Sequence, residues 1–238
     1  MSNASSEAPS IRVGETVWPV RLVHHAQSRR YKLIFDGARG ELRLTLPRRA
    51  SAARALKWAS KQQDWLHEQV GKSAAPVLVA PGSSIPVFGV ERRIEWTASA
   101  PRAVRLDGEA LRLGGPEETV GRRIERWLKT EALAVMERES REIAARAGLR
   151  MGRVGVGDPR SRWGSCTHDG DLRYSWRLVM APDHVRRATV AHEVAHLRHM
   201  DHGSAFHALV DELHDGDVAM ARAWLRREGR GLHRYRFV

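Results

Sequence analysis

The sequence holds a single cysteine, Cys166, among 238 residues. That excludes an internal disulfide framework, suits a reducing compartment and leaves any bound metal to nitrogen and oxygen ligands. Long hydrophobic runs are also missing. No apolar stretch approaches the roughly 18–20 residues that a membrane span requires, and mean hydropathy is -0.46, so a soluble protein without a membrane partner is expected. The opening MSNASSEAPS has no positive segment followed by an apolar one, hence no standard export signal. A cytoplasmic location and a disordered leader over residues 1–10 follow as expectations. Acidic residues are in deficit, 28 against 40 Lys and Arg, giving a formal net charge of +12 and a pI of about 10.9. The excess lies mostly in front: residues 1–115 carry 18 basic and 10 acidic residues, residues 116–238 carry 22 and 18. Such a balance admits a nucleic-acid partner, and equally an Arg-rich composition spread over solvated faces. Charge alone specifies neither.

What is present is a succession of short strands and amphipathic helices. TVWPVRLV, YKLIF and ELRLTLP alternate apolar and polar residues between 11 and 47, with DGARG as a turn. Ser51 is a plausible N-cap for one helix ending at Gly71, on which Trp58 and Trp65 are expected to pack into a core. Residues 73–84 form a loop rich in Pro, Ser and Gly, and two or three further strands follow, with Asp107-Gly108 as a hairpin turn. From Pro116 a long helix is expected to run to Gly148 as its C′ residue. Short strands come next, with His168-Asp169-Gly170 turning between RSRWGSC and DLRYSWRLVM. A helix N-capped by Asp183 should then reach about Arg198, before two shorter helical patterns that close at Gly229. The expected division is a leader (1–10), a basic β-rich region with one helix (11–115), a second, more helical region (116–230) and a basic tail (231–238).

The chemistry is concentrated in VAHEVAHLRHMDHGSAFH, residues 190–207, which holds five histidines. His192 and His196 stand four apart on the expected helix, so both imidazoles leave one face about one turn apart. With Glu193 between them they make H-E-x-x-H, a pincer for one zinc ion with an acid positioned as base toward the water such an ion activates. A catalytic zinc takes three protein ligands and keeps one position open. His199 faces the same way as His192 but lies about 10.5 Å further along a continuous helix, from which its ring converges poorly. His202 ranks first for the third place, provided that the helix stops near His199 and MDHG turns the chain back. A carboxylate from Asp211 or Glu212 ranks next, with His207 or His199 behind it. The fold class expected is α+β, a β-rich N-terminal region followed by a catalytic region whose H-E-x-x-H helix packs near a small antiparallel sheet.

Two stretches together, RSRWGSC (160–166) and HEVAHLRHMDHGSAF (192–206), resemble the YgjP-like metallopeptidase family, related to the SprT-like and Spartan zincins. YSWRLVMAP (174–182) resembles that family's strand before the active-site helix, and the likeness extends over about residues 20–215. It implies a zincin-like catalytic region, one catalytic zinc held by His192, His196 and His202, Glu193 as general base and acid, and a protein or peptide substrate. The chain departs from the family in Asp201 and Gly203 around His202, in His207 after Phe206, and in Ser175 where Asn is common. Arg162, Ser165 and His168 are candidate oxyanion donors but are expected to be structural, as are Trp163 and Gly164 in a tight packing turn and Cys166 as a small buried residue. The strand holding Tyr174 and Trp176 is a candidate for pairing with an extended substrate. Two alternatives stand beside hydrolysis: a basic nucleic-acid-binding protein with a structural or vestigial zinc site, and a protease recruited to DNA to process bound proteins.

Overall fold

The computed structural model describes residues 9–14, 16–37, 39–72 and 76–238. Most of the expected leader lies outside the described residues, although its last residue, Ser10, already belongs to a strand. The chain is α+β and divides into two compact units, Met1–Val77 and Leu78–Val238. Residues 78–115, grouped from sequence with the front half, thus fall in the second unit. No helix among the described residues is long and apolar enough to cross a membrane.

The first unit is a four-stranded sheet with two helices. Strands β1 (Ser10–Val13), β2 (Thr16–His25), β3 (Lys32–Asp36) and β4 (Glu41–Pro47) are ordered β1-β2-β4-β3, with β2 and β4 parallel and the other pairs antiparallel. Alternation along β4 sends Leu42, Leu44 and Leu46 to one face, where all three are fully buried with Ala55, Ala59 and Leu66. Trp58 and Trp65 pack against this cluster, as expected. The single helix expected here is broken into α1 (Ala52–Ser60) and α2 (Gln63–Lys72). The Lys61 N–H turns back to the carbonyls of Ala59 and Trp58, and Gln62 Nε2 donates to the Trp58 carbonyl at 3.3 Å. Those bonds close the last turn of α1 and stop its propagation.

The second unit opens, after the two-residue β5 (Val77–Leu78), with β6 (Ser84–Val87), β7 (Val90–Trp96), β8 (Arg105–Asp107) and β9 (Ala110–Leu113), ordered β6-β7-β9-β8. The Asp107-Gly108 turn joins β8 to β9 as expected. Helix α3 (Val120–Arg146) follows a short 3-10 turn at Glu117–Thr119. It ends in a Schellman motif: Gly148, at φ 63°, donates to the Ala145 carbonyl, and Leu149 donates to that of Ala144. The next sheet corrects the sequence expectation. It is mixed rather than antiparallel: β10 (Val154–Gly157) runs parallel to β12 (Leu172–Ser175), and β11 (Gly164–Cys166) antiparallel to it, in the order β10-β12-β11. Two reversals of the chain, one through residues 158–163 and one through the hairpin at 167–171, bring β12 back to the direction of β10. The hairpin turn is the one expected, with Gly170 at φ 80° donating to the Thr167 carbonyl.

Beyond Ser175 the chain leaves the sheet, because the β12 ladder ends with Gly157 opposite Ser175 and Gly164 opposite Tyr174. Trp176–Met180 is a buried 3-10 turn rather than the continued strand the alternation predicts. Helix α4 (Asp183–Ala195) follows, its N-cap being Pro182, one residue ahead of the predicted Asp183. Helices α5 (Ser204–Leu213) and α6 (Val218–Arg227), the latter N-capped by Asp217, a 3-10 turn at Gly229–Arg234 and the two-residue β13 (Tyr235–Arg236) complete the chain.

Helix α4 is clamped to α3 by a buried ion pair. Glu139 and Arg186 are 2% and 3% exposed, joined by two bonds of 2.8 and 3.1 Å, and Arg186 also reaches Asp183 at 2.7 Å. Removing one member of such a pair strands a charge in a dry site, so Glu139→Leu is expected to cost about 3–5 kcal/mol, read as a lower urea midpoint at unchanged slope.

Candidate metal centre

Helix α4 ends at Ala195, so His192 lies in its last turn and His196 caps it. The chain then turns through residues 197–203, where Asp201 Oδ1 accepts from the Gly203 N–H at 3.1 Å, and His202 swings back over the helix end. The ligand nitrogens of His192, His196 and His202 all lie within 4.8 Å of one another. His202 Nε2 stands 3.3 Å from His192 Nε2. Two nitrogens bound tetrahedrally at about 2.0–2.1 Å from one zinc are about 3.3 Å apart, so this pair is spaced as one such ion requires.

The tautomers fit as well. His196 Nδ1 lies 2.9 Å from the His199 carbonyl and is the donor there, which leaves its Nε2 lone pair for a metal. His199 thus enters through its backbone, not its ring. Phe206 is fully buried beneath the cluster, its ring centroid 4.9, 4.5 and 4.8 Å from those of His192, His196 and His202. Burial, then the charges of His196 and His202, push His192 down to about 4, and burial lowers His196 too. Both imidazoles are held neutral, the form that binds a cation.

Glu193 leaves α4 about 100° round from His192 and is 5% exposed. Burial pushes its carboxyl up to about 7, opposed by the nearby charge of Arg162. It abuts the backbone of Gly164 on β11, where a Cβ would sit 2.5 and 2.6 Å from Glu193 Cγ and Cδ. Gly164 is therefore the wall against which the carboxylate rests, which corrects its reading as part of a packing turn. Trp163 does pack, its indole against Gly229 and its ring 5.7 Å from that of His233.

The other candidates separate clearly. Asp211, Glu212 and His207 are exposed on α5 and outside the cluster. His168 is exposed in the β11–β12 turn. Ser165 follows Gly164 and points to the opposite face of the sheet. Cys166 is half-buried rather than buried; burial, with Glu193 and Asp171 nearby, pushes its thiol up to about 11, and it donates to the Thr167 carbonyl at 3.3 Å. Strand β12 cannot take an extended substrate, since β10 and β11 occupy both its edges, while Tyr174 is buried with its hydroxyl 2.9 Å from Ser140 Oγ. The edge strands of this sheet are β10 and β11, and β11 is the one that lies beside α4.

Three features were not read from the sequence: the Gly164 wall, the Phe206 support and the His199 carbonyl. Only Phe206 carried a signal, lying four residues after His202 where a helix start brings it back toward the ring.

A family model described as YgjP-like, metallopeptidase domain, matches residues 31–228. No curated protein and no solved structure matches. With more than four-fifths of its length covered by that match, and a histidine cluster able to hold a metal, this chain belongs to the YgjP-like metallopeptidase family.

Proposed function

We propose that the protein is a zinc-dependent peptidase, with His192, His196 and His202 as metal ligands, Glu193 as general base and then general acid, and residues 116–230 as its catalytic region. The observation that carries this reading is the convergence of three imidazoles, with His192 and His196 held neutral by burial, beside a buried carboxyl. A zinc ion held there would supply Lewis acidity, polarising a peptide carbonyl and bringing the pKa of water down toward about 7. The chain's own residues do the rest. Glu193, held near neutrality by burial, takes the proton of the attacking water and delivers it to the leaving amine. Gly164 keeps that carboxyl in one place, and Phe206 holds the ligand rings. The open edge of β11 offers backbone groups to an extended peptide, so substrate is bound by strand addition there. The single cysteine supports a cytoplasmic location. The nucleic-acid readings rest on net charge and on likeness to the SprT-like zincins, with no feature of the site behind them, and are not proposed.

Elemental analysis of purified protein tests the reading. About one zinc per chain is expected, lost from His202→Ala and His196→Ala, together with chelator-sensitive cleavage of denatured casein. Full zinc retention by His202→Ala would defeat the ligand assignment. Metal removal should also lower the melting temperature, because an ion that binds only the folded chain stabilises it.

A further inference from the structure

The loop from β10 to β11, with the face of the small sheet turned away from the core, encloses a cleft of about 170 Å³ lined by Gly157, Asp158, Arg162, Gly164, Ser165 and Arg173. Strand register explains its make-up. Arg173 lies opposite Ser165 of β11 and Gly155 of β10, so its side chain leaves the sheet on the face opposite to buried Leu172 and Tyr174. Its guanidinium crosses the bare backbone of Gly157, where a Cβ would sit 3.2 Å from Arg173 Nε and Nη2. Arg162 enters from the loop, with its charge felt at Glu193. Among the described residues neither arginine has an ion-pair partner. The acid of the cleft, Asp158, does not neutralise them: it is held by Arg177 through bonds of 2.7 and 3.0 Å, with His233 at 3.7 Å. Two exposed guanidinium groups therefore converge on a concavity whose wall, Gly164, is also the wall of Glu193.

We propose that this cleft binds a carboxylate of the peptide substrate, so that the enzyme selects acidic groups beside the bond it cleaves. The inference rests on the peptidase reading of the metal centre and specifies its substrate class. A peptide paired to the open edge of β11 sends alternate side chains to the two faces of the sheet. Residues on the α4 face meet Glu193 and the histidines, and their immediate neighbours meet Arg162 and Arg173. Paired guanidinium groups match a carboxylate through charge-assisted, bidentate bonds, which gives geometric selection against the neutral amide.

Binding to the full, zinc-loaded chain carrying Glu193→Gln, measured by fluorescence anisotropy, tests this without turnover. Three labelled peptides are compared: one with an internal Glu and an amidated C-terminus, its Gln counterpart, and the Gln peptide with a free C-terminal carboxylate. At least one carboxylate peptide is expected to bind about tenfold more tightly than the neutral one, and which one it is identifies the source of the group. Adding Arg162→Gln and Arg173→Gln should abolish the difference. Equal binding of all three peptides, or discrimination that survives loss of both arginines, overturns the proposal. Casein hydrolysis by the unmodified protein is read in parallel. Absent hydrolysis with carboxylate selection intact sinks the peptidase reading and keeps the cleft, whereas hydrolysis with no selection sinks the cleft alone.

Discussion

Glu193→Gln will bind zinc at the wild-type ratio and cleave denatured casein about 10²- to 10⁴-fold more slowly, the range over which a positioned general base acts. Glutamine has the same shape, so it fits against Gly164 and leaves the histidine cluster untouched. What it loses is the ability to accept a proton. Glu193 is suited to that task because burial raises its carboxyl to about 7, where it is basic enough to take a proton and acidic enough to return it. The substitution should not destabilise the fold, since a neutral amide avoids the cost of holding a carboxylate in a site 5% exposed. The comparison must be made at equal bound zinc. Activity indistinguishable from wild type under that condition would falsify the hydrolytic role of Glu193 and with it the proposed mechanism.

Gly164→Ala tests the same carboxyl from the other side. A methyl group at this position would stand 2.5 and 2.6 Å from Glu193 Cγ and Cδ, closer than real contacts allow, so either the carboxylate or β11 must shift. Helix α4 is anchored by the buried Glu139–Arg186 pair, so the flexible carboxylate arm yields first. A displacement of about 1 Å in a reacting group costs up to about 10²-fold in rate. The expected result is a kcat lowered by about 10- to 100-fold, with zinc content unchanged and KM nearly so. Rescue distinguishes positioning from general damage to the strand. Glu193→Asp is one methylene shorter and clears the new methyl, so the double variant should be less impaired than the product of the two single effects. Strict additivity, or a KM that rises while kcat holds, would move the role of Gly164 from the carboxyl to substrate pairing on β11.

The two substitutions also mark where local sequence rules end. The four-residue step from His192 to His196, the interposed Glu193, the Asp201–Gly203 turn and the Schellman end of α3 at Gly148 are all set by neighbours within a few residues. Each was legible because helix periodicity and turn chemistry act over that range. The break between α1 and α2 was missed because apolar spacing continues across it, and only the Lys61 and Gln62 bonds to the preceding carbonyls interrupt the helix. The 3-10 turn at Trp176 was missed for a like reason: alternation persists past Ser175, but β10 and β11 run out of partner residues.

By itself, then, the sequence determined an α+β chain with a histidine pair on one helix face, an acid between them and a turn able to return a third histidine. Tertiary structure alone decided that β12 is closed on both edges while β11 is an edge strand, that Gly164 is the surface against which Glu193 rests, and that Arg162 and Arg173 line one cleft. The reason is separation along the chain. Gly164 and Glu193 lie 29 residues apart, and no periodicity or cap links them; they meet because α4 packs beside β11, a contact settled by burial of the second unit's core and not by any pattern either segment carries alone.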